Sequence, residues 1–213
     1  MSEISSILSK LKETRESEVL NSIEEAYKNI SAAQKVWYDK SQFYCADGCG
    51  ECCRNFEPDL MESEALYMAA WIMENQPEVA ASIAEGKFPF PREKGCPLWD
   101  ENNAYHCTIY GGRALICRLF GACGSHAKNG ETVFKPCKFY PEDKLKSWKT
   151  PLTHRQYSQS EIESIFGVLP PVMSDLTEGV VSISNANETK LIRDILPDAI
   201  RRLQWIISMS ESE

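Results

Sequence analysis

The chain has no apolar run near the roughly twenty residues a bilayer span requires. Its first thirty residues intersperse Ile4, Ile7, Leu8 and Leu11 with Ser and Lys, and so lack the hydrophobic core of a signal peptide. Positive charge is scarce: 23 Lys and Arg stand against 31 Asp and Glu, for a net charge of −8. Nucleic-acid affinity depends on clustered cations. The Lys10–Arg15 and Arg201-Arg202 groups are surrounded by acids, so no nucleic-acid partner is expected. There is no Walker loop, no Gly-x-Ser-x-Gly and no His-Glu-x-x-His, and only three histidines could serve as acid–base groups. Internal repeats and low-complexity tracts are also absent. These absences argue against a membrane protein, a nucleotide enzyme and the common hydrolases, and they predict a reducing cytoplasm as the location.

Cysteine, by contrast, is abundant. Cys45, Cys49, Cys52 and Cys53 fall within nine positions, and Cys96, Cys107, Cys117, Cys123 and Cys137 follow. Thiols set this close in a chain without a secretion signal point to a metal rather than to disulfides, and an odd total of nine agrees. At 213 residues the chain can bury a core without needing a metal in its place.

The periodicity predicts a mainly α fold, a helical scaffold around irregular cysteine-rich metal-binding loops. Residues 1–42 form an N-terminal helical segment, 43–140 the metal-binding core and 141–213 a C-terminal helical segment. Ile4, Leu8 and Leu11, then Leu20, Ile23, Tyr27 and Ile30, recur at helical spacing. Thr14–Ser17 interrupts the stripe, leaving one helix or two. Residues 43–54 are expected to be loop, with Gly48 and Gly50 flanking Cys49. A helix is predicted over Glu62–Glu74, ended by Pro77, with a short helix to Ala84. Ala114–Phe120 can be a helix turn or a strand. Ser158-x-x-Glu161 is a capping box opening a helix through Gly167. Asn187 or Thr189 could cap a helix ending near Leu196, with Pro197 opening another whose buried face is Ala199, Leu203, Ile206 and Ile207.

Thiolates favour zinc and iron–sulfur clusters. Cys52 and Cys53 are adjacent, and in extended backbone they would point to opposite sides, which suits two metals better than one ion. Cys45-x3-Cys49-x2-Cys52 has the spacing by which radical S-adenosylmethionine enzymes hold a [4Fe–4S] cluster with an open iron. Here Glu51 occupies the usual aromatic position, and the alternating strands and helices of that superfamily are not seen. The spacing is therefore read as cluster-binding capacity.

Together, Phe43-x-Cys45-x3-Cys49-Gly50-x-Cys52-Cys53-Arg54, Cys96-Pro97-Leu98-Trp99, Cys107-x-Ile109-Tyr110-x-x-Arg113 and Cys117-Arg118 resemble the YkgJ-like cysteine-cluster family, a zinc- or iron-chelating domain related to flagellin lysine N-methylases. The resemblance covers roughly residues 43–140. It implies a metal centre drawing on Cys45, Cys49, Cys52, Cys53, Cys96, Cys107, Cys117 and Cys137, and its methylase branch implies an iron–sulfur cluster with S-adenosylmethionine. Ala114 and Gly121 stand where the family usually has proline, and the chain lacks the extra length of the full methylases, which weakens the transfer of methylase activity.

Cys123-x-x-His126 has a zinc-like spacing. His106 and His154 are read as non-ligands, and Arg113 and Arg118 as counter-charges to thiolates or as ion-pair partners of acids. Tyr110 and Trp99 are read as core packing, Glu62 and Glu64 as solvated carboxylates. Three functions remain: a metal-binding protein with an iron–sulfur cluster or zinc, an S-adenosylmethionine-dependent protein-lysine methyltransferase, and a structural zinc module whose helices bind a protein partner.

Overall fold

A computed structural model describes residues 2–45, 49–184 and 188–210. The N-terminal stripe divides into two helices, α1 (Ser5–Lys10) and α2 (Arg15–Ser41). The division falls at Thr14, whose hydroxyl accepts the Ser17 N–H and caps α2. After the cysteine segment come α3 (Glu51–Arg54), strand β1 (Asp59–Leu60), α4 (Glu62–Asn75) and α5 (Pro77–Ala84), with Pro77 at the first turn of α5. Ala114–Phe120 resolves as helix α6 (Leu115–Leu119). A hairpin of β2 (Ser125–His126) and β3 (Thr132–Val133) follows, then α7 (Glu142–Lys146) and α8 (Gln159–Phe166). The Ser158–Glu161 capping box forms as expected, and Gly167 closes α8 at φ +68°.

The chain ends with α9 (Met173–Val181), β4 (Lys190–Leu191) and α10 (Ile192–Ser210). Helix α9 has no counterpart in the sequence reading. The expected division at Pro197 does not occur either: α10 is continuous, with Pro197 buried inside it. Its first turn is tied down independently. Strand β4 pairs antiparallel with β1, the Ile192 N–H reaches the Pro58 carbonyl, and Arg193 grips Glu57 at 2.6 Å. These contacts hold the helix start through the hydrogen bond that proline cannot make. Thr189 bonds Asp59 rather than capping a helix, and Asn187 and Gly48 lie outside the described residues. The result is mainly α. Among the described residues, no helix is long and apolar enough to cross a membrane.

Two apolar cores organise these elements. The larger gathers α1, α2, α4, α5, α9 and α10 around Leu20, Ile23, Leu60, Met68, Ile72, Ile83 and Leu203. Arg202 links three of these helices by pairing with Glu16 of α2 and Glu62 of α4. The second core is aromatic: Trp37, Phe43, Phe134 and Phe166, flanked by Tyr140 and Trp148. Phe43 is its hub, with ring centroids 4.7 Å from Tyr140, 5.2 Å from Trp148, 5.6 Å from Phe134 and 5.7 Å from Phe166. Phe43 precedes Cys45 by two residues, and Cys137 lies between Phe134 and Tyr140. This core therefore anchors both cysteine-bearing segments at once.

Truncating a buried aromatic removes its transfer energy and leaves a cavity. Phe43→Ala is expected to lower the unfolding free energy by about 3–5 kcal/mol, read from urea titration. It should also release the Cys45 segment, seen as faster labelling of Cys45 in the native protein.

Candidate metal centre

Cys52 and Cys53 do not sit on loop. Gly50 adopts a left-handed φ of +53° and turns the chain into α3, so the two residues occupy one helical turn. Their sulfurs are 3.6 Å apart, and the expectation of opposed side chains gives way to a shared face. Gly50 is required for a second reason. A Cβ there would overlap the imidazole of His106, so loop 49–50 and loop 100–106 meet backbone to ring.

The other cysteines arrive through local pairing. Trp99 forms an isolated antiparallel bridge with Cys107, and the Thr108 N–H bonds the Leu98 carbonyl, which draws the Cys96-Pro97-Leu98-Trp99 run alongside Cys107. Cys117 is held by α6, whose first N–H, on Leu115, donates to the Glu64 carboxylate at 2.7 Å. Glu64 is therefore not solvated. It is 5% exposed, and it also accepts the Met61 N–H at 3.1 Å. Arg118 packs its guanidinium over Tyr27 at 3.9 Å and bonds the carbonyls of Arg113 and Gly111, fixing the loop that leads into α6.

These segments enclose a cavity of about 220 Å³ lined by Cys45, Cys49, Cys52, Cys53, Cys96, Cys107 and Cys117. Seven of the eight predicted site residues thus share one space. Cys137 is outside the lining, though close enough to Cys49 and Cys52 to feel their charge. Cys123 also lies apart, 3.8 Å from the Gln34 amide. His126 turns to Asp175 at 3.1 Å and the Gly130 carbonyl at 3.2 Å on the β2–β3 hairpin. Among the described residues, no three cysteine, histidine or carboxylate groups converge closely enough to hold a metal ion.

The electrostatics follow from this crowding. Burial pushes the Cys96 thiol up to about 12, and burial likewise raises Cys107 and Cys117. The charges of neighbouring cysteines add to the rise: Cys107 on Cys96, Cys52 on Cys107, and Cys96, Cys107 and Cys52 on Cys117. Within the adjacent pair, the hydrogen bond from Cys53 lowers the Cys52 thiol, and Cys53 is raised by the same bond and by burial. Arg113 favours the thiolates of Cys52, Cys107 and Cys117. Such a set cannot ionise together without a cation, and binding a metal cation would release the protons. The donor chemistry fits zinc or iron.

The sequence family CxxCxxCC, described as a "putative zinc- or iron-chelating domain", matches residues 44–151. The chain belongs to this family. The match takes in all nine cysteines, and it supports a metal-binding role. In this chain the first gap, Cys45-x3-Cys49, is one residue longer than the spacing the CxxCxxCC name spells. No curated protein matches the chain, and no solved structure does.

The structure also brings in residues that the sequence reading set aside. Trp99, Tyr105 and Tyr110 line the cavity, and Tyr105 and Tyr110 are 55% and 47% exposed, so they form its mouth. Tyr110, expected in the core, carries the Arg113 guanidinium at 3.7 Å instead. Only the aromatic enrichment around Cys96–Arg113 hinted at such a wall.

Gly50→Ala is expected to cost roughly 1–2 kcal/mol from its left-handed backbone alone. The overlap with His106 adds to this, and the variant should retain less metal at equal expression. In metal-free protein, alkylation of Cys52 should titrate below the ordinary thiol value of 9.0, while Cys96 and Cys117 stay unreactive until unfolding. A depressed Cys52 contributes stability that is present above 9.0 and lost as pH falls through its lowered value.

Proposed function

We propose that the protein holds an iron–sulfur cluster of the [4Fe–4S] type. Its ligands come from Cys45, Cys49, Cys52, Cys53, Cys96, Cys107 and Cys117, with Cys137 in an outer position. The observation that carries this reading is that seven cysteines border one cavity of about 220 Å³. A structural zinc site draws four donors onto one point and is closed. An open space bordered by thiols is better matched to a polynuclear centre. When bound, such a cluster supplies one-electron chemistry or an open iron.

The chain's own residues have defined parts. Arg113 offsets thiolate charge, and Glu64 holds α6 and with it Cys117. Buried N–H groups without partners, Arg113 Nε and Trp99 Nε1, line the same cavity and suit an anionic centre. The wealth of thiols agrees with a reducing cytoplasm.

A second reading is methyl transfer from S-adenosylmethionine to a lysine of a protein substrate. The Cys45-x3-Cys49-x2-Cys52 spacing and the room beside the cysteines favour it. Labelled S-adenosylmethionine should then bind the loaded protein, and no binding with the centre intact would sink it.

Anaerobic purification should yield a brown protein containing about four irons and four acid-labile sulfides per chain. About one or two zinc ions per chain with no iron would replace the cluster by zinc. Cys52→Ala and Cys117→Ala should each lose most of the metal, whereas Cys137→Ala should lose less.

A further inference from the structure

One imidazole borders the cavity along with the thiols. The sequence reading makes His106 a non-ligand, yet in the structure it lines the same space as Cys49, Cys52 and Cys107. Its place there depends on unusual backbone. His106 has φ +52°, a left-handed conformation that disfavours side chains and is concentrated at functional sites. In an extended chain His106 and its neighbour Cys107 would face opposite sides. The left-handed turn breaks that alternation, and both residues line the cavity. Two hydrogen bonds hold the turn: the His106 N–H donates to the Asn103 carbonyl at 2.9 Å, and the His106 carbonyl accepts the Asp100 N–H at 3.1 Å.

The ring is fixed on every side but one. Its Nδ1 lies 3.1 Å from the Asp100 carbonyl oxygen. A carbonyl only accepts, so Nδ1 carries the proton and Nε2 keeps its lone pair. The Trp99 ring stacks on the imidazole at 5.4 Å, with planes 20° apart. Gly50 packs against Cβ, Cγ and Cδ2 so closely that a Cβ on Gly50 would overlap them. This sets the ring against the loop that carries Cys49 and leads to Cys52. Nε2 alone has no protein partner among the described residues. A histidine that ligates a metal through one nitrogen almost always gives its other N–H to a carbonyl or carboxylate, which fixes the tautomer and the ring orientation. His106 already meets that condition.

We infer that His106 Nε2 is a nitrogen ligand of the metal centre, in a place that a thiolate would otherwise fill. The inference rests on the cluster reading for the identity of that centre. Imidazole suits iron and zinc alike. In a polynuclear centre the ligands stand around the cluster, so they need not converge on one ion. The charge balance favours the exchange as well. Each thiolate makes its neighbours harder to ionise, and a neutral imidazole removes one negative charge from the set.

Pulsed electron paramagnetic resonance of the reduced, metal-loaded full chain tests this, in protein whose histidines carry the heavy nitrogen isotope. Wild type should show a nitrogen coupling to the centre that changes with the label. His106→Asn should abolish it, and asparagine tolerates left-handed backbone, so the turn is kept. His126→Gln and His154→Gln, which replace the two histidines outside the lining, should leave it unchanged. An intact cluster without any histidine coupling overturns the ligand, as does a coupling that survives in His106→Asn. Should that variant fail to fold, a double variant combining His126→Gln with His154→Gln decides. A coupling there can come only from His106, and its absence overturns the assignment. Iron and acid-labile sulfide measured on the same samples keep the two ideas apart. Zinc in their place overturns the cluster reading alone, because cobalt(II) substituted for the zinc then reports the same histidine coupling or its loss. A chain that binds no metal overturns both.

Discussion

The buried carboxylate of Glu64 joins the helical core to the cysteine-bearing loops. It sits in the first turn of α4, at the middle of the larger core, and spends one oxygen on its own helix at Met61 and the other on Leu115 at the start of α6. An unpaired carboxylate at 5% exposure would be strongly disfavoured, and burial raises its pKa as expected. The two backbone N–H groups and the Tyr27 hydroxyl at 3.5 Å offset that cost. In satisfying itself, Glu64 also fixes where Cys117 stands relative to the scaffold.

The remaining anchors follow the same logic, with rigid elements gripping irregular ones. The aromatic core holds the segments of Cys45 and Cys137. Arg193, at the start of α10, bonds Glu57 and the carbonyls of Arg92 and Gly95, on either side of the gap between α3 and Cys96. Gly95 at φ +86° lets the chain pass against the Arg54 carbonyl, where a side chain would collide. Held by these contacts, thiols that repel one another's ionisation stay together. Their mutual electrostatics then make a metal cation the natural partner.

Much of this was legible beforehand. Helical periodicity predicted α4, and the Ser158–Glu161 capping box predicted α8, because both signals are local. The cysteine spacings named the metal chemistry for the same reason. Other expectations failed where a distant contact overrode a local rule. Pro197 should have opened a helix, but pairing of β1 with β4 and the Arg193 bonds carry α10 through it. Glu64 looks like any helix-surface acid until Leu115, fifty-one positions away, donates to it. Cys52 and Cys53 looked opposed because extended backbone was assumed, whereas Gly50 starts a helical turn there.

From its residues alone, the chain determines a mainly helical scaffold and a thiol-rich, metal-binding character. These depend on periodicity and donor softness, both of which can be read along the chain. Only the tertiary structure decided which seven cysteines border one cavity, that Cys123 and His126 part company, and that Arg113, stacked on Tyr110, shares that space with the thiols. Convergence of segments as distant along the chain as those of Cys45 and Cys117 depends on which buried groups satisfy one another, and linear spacing does not encode that.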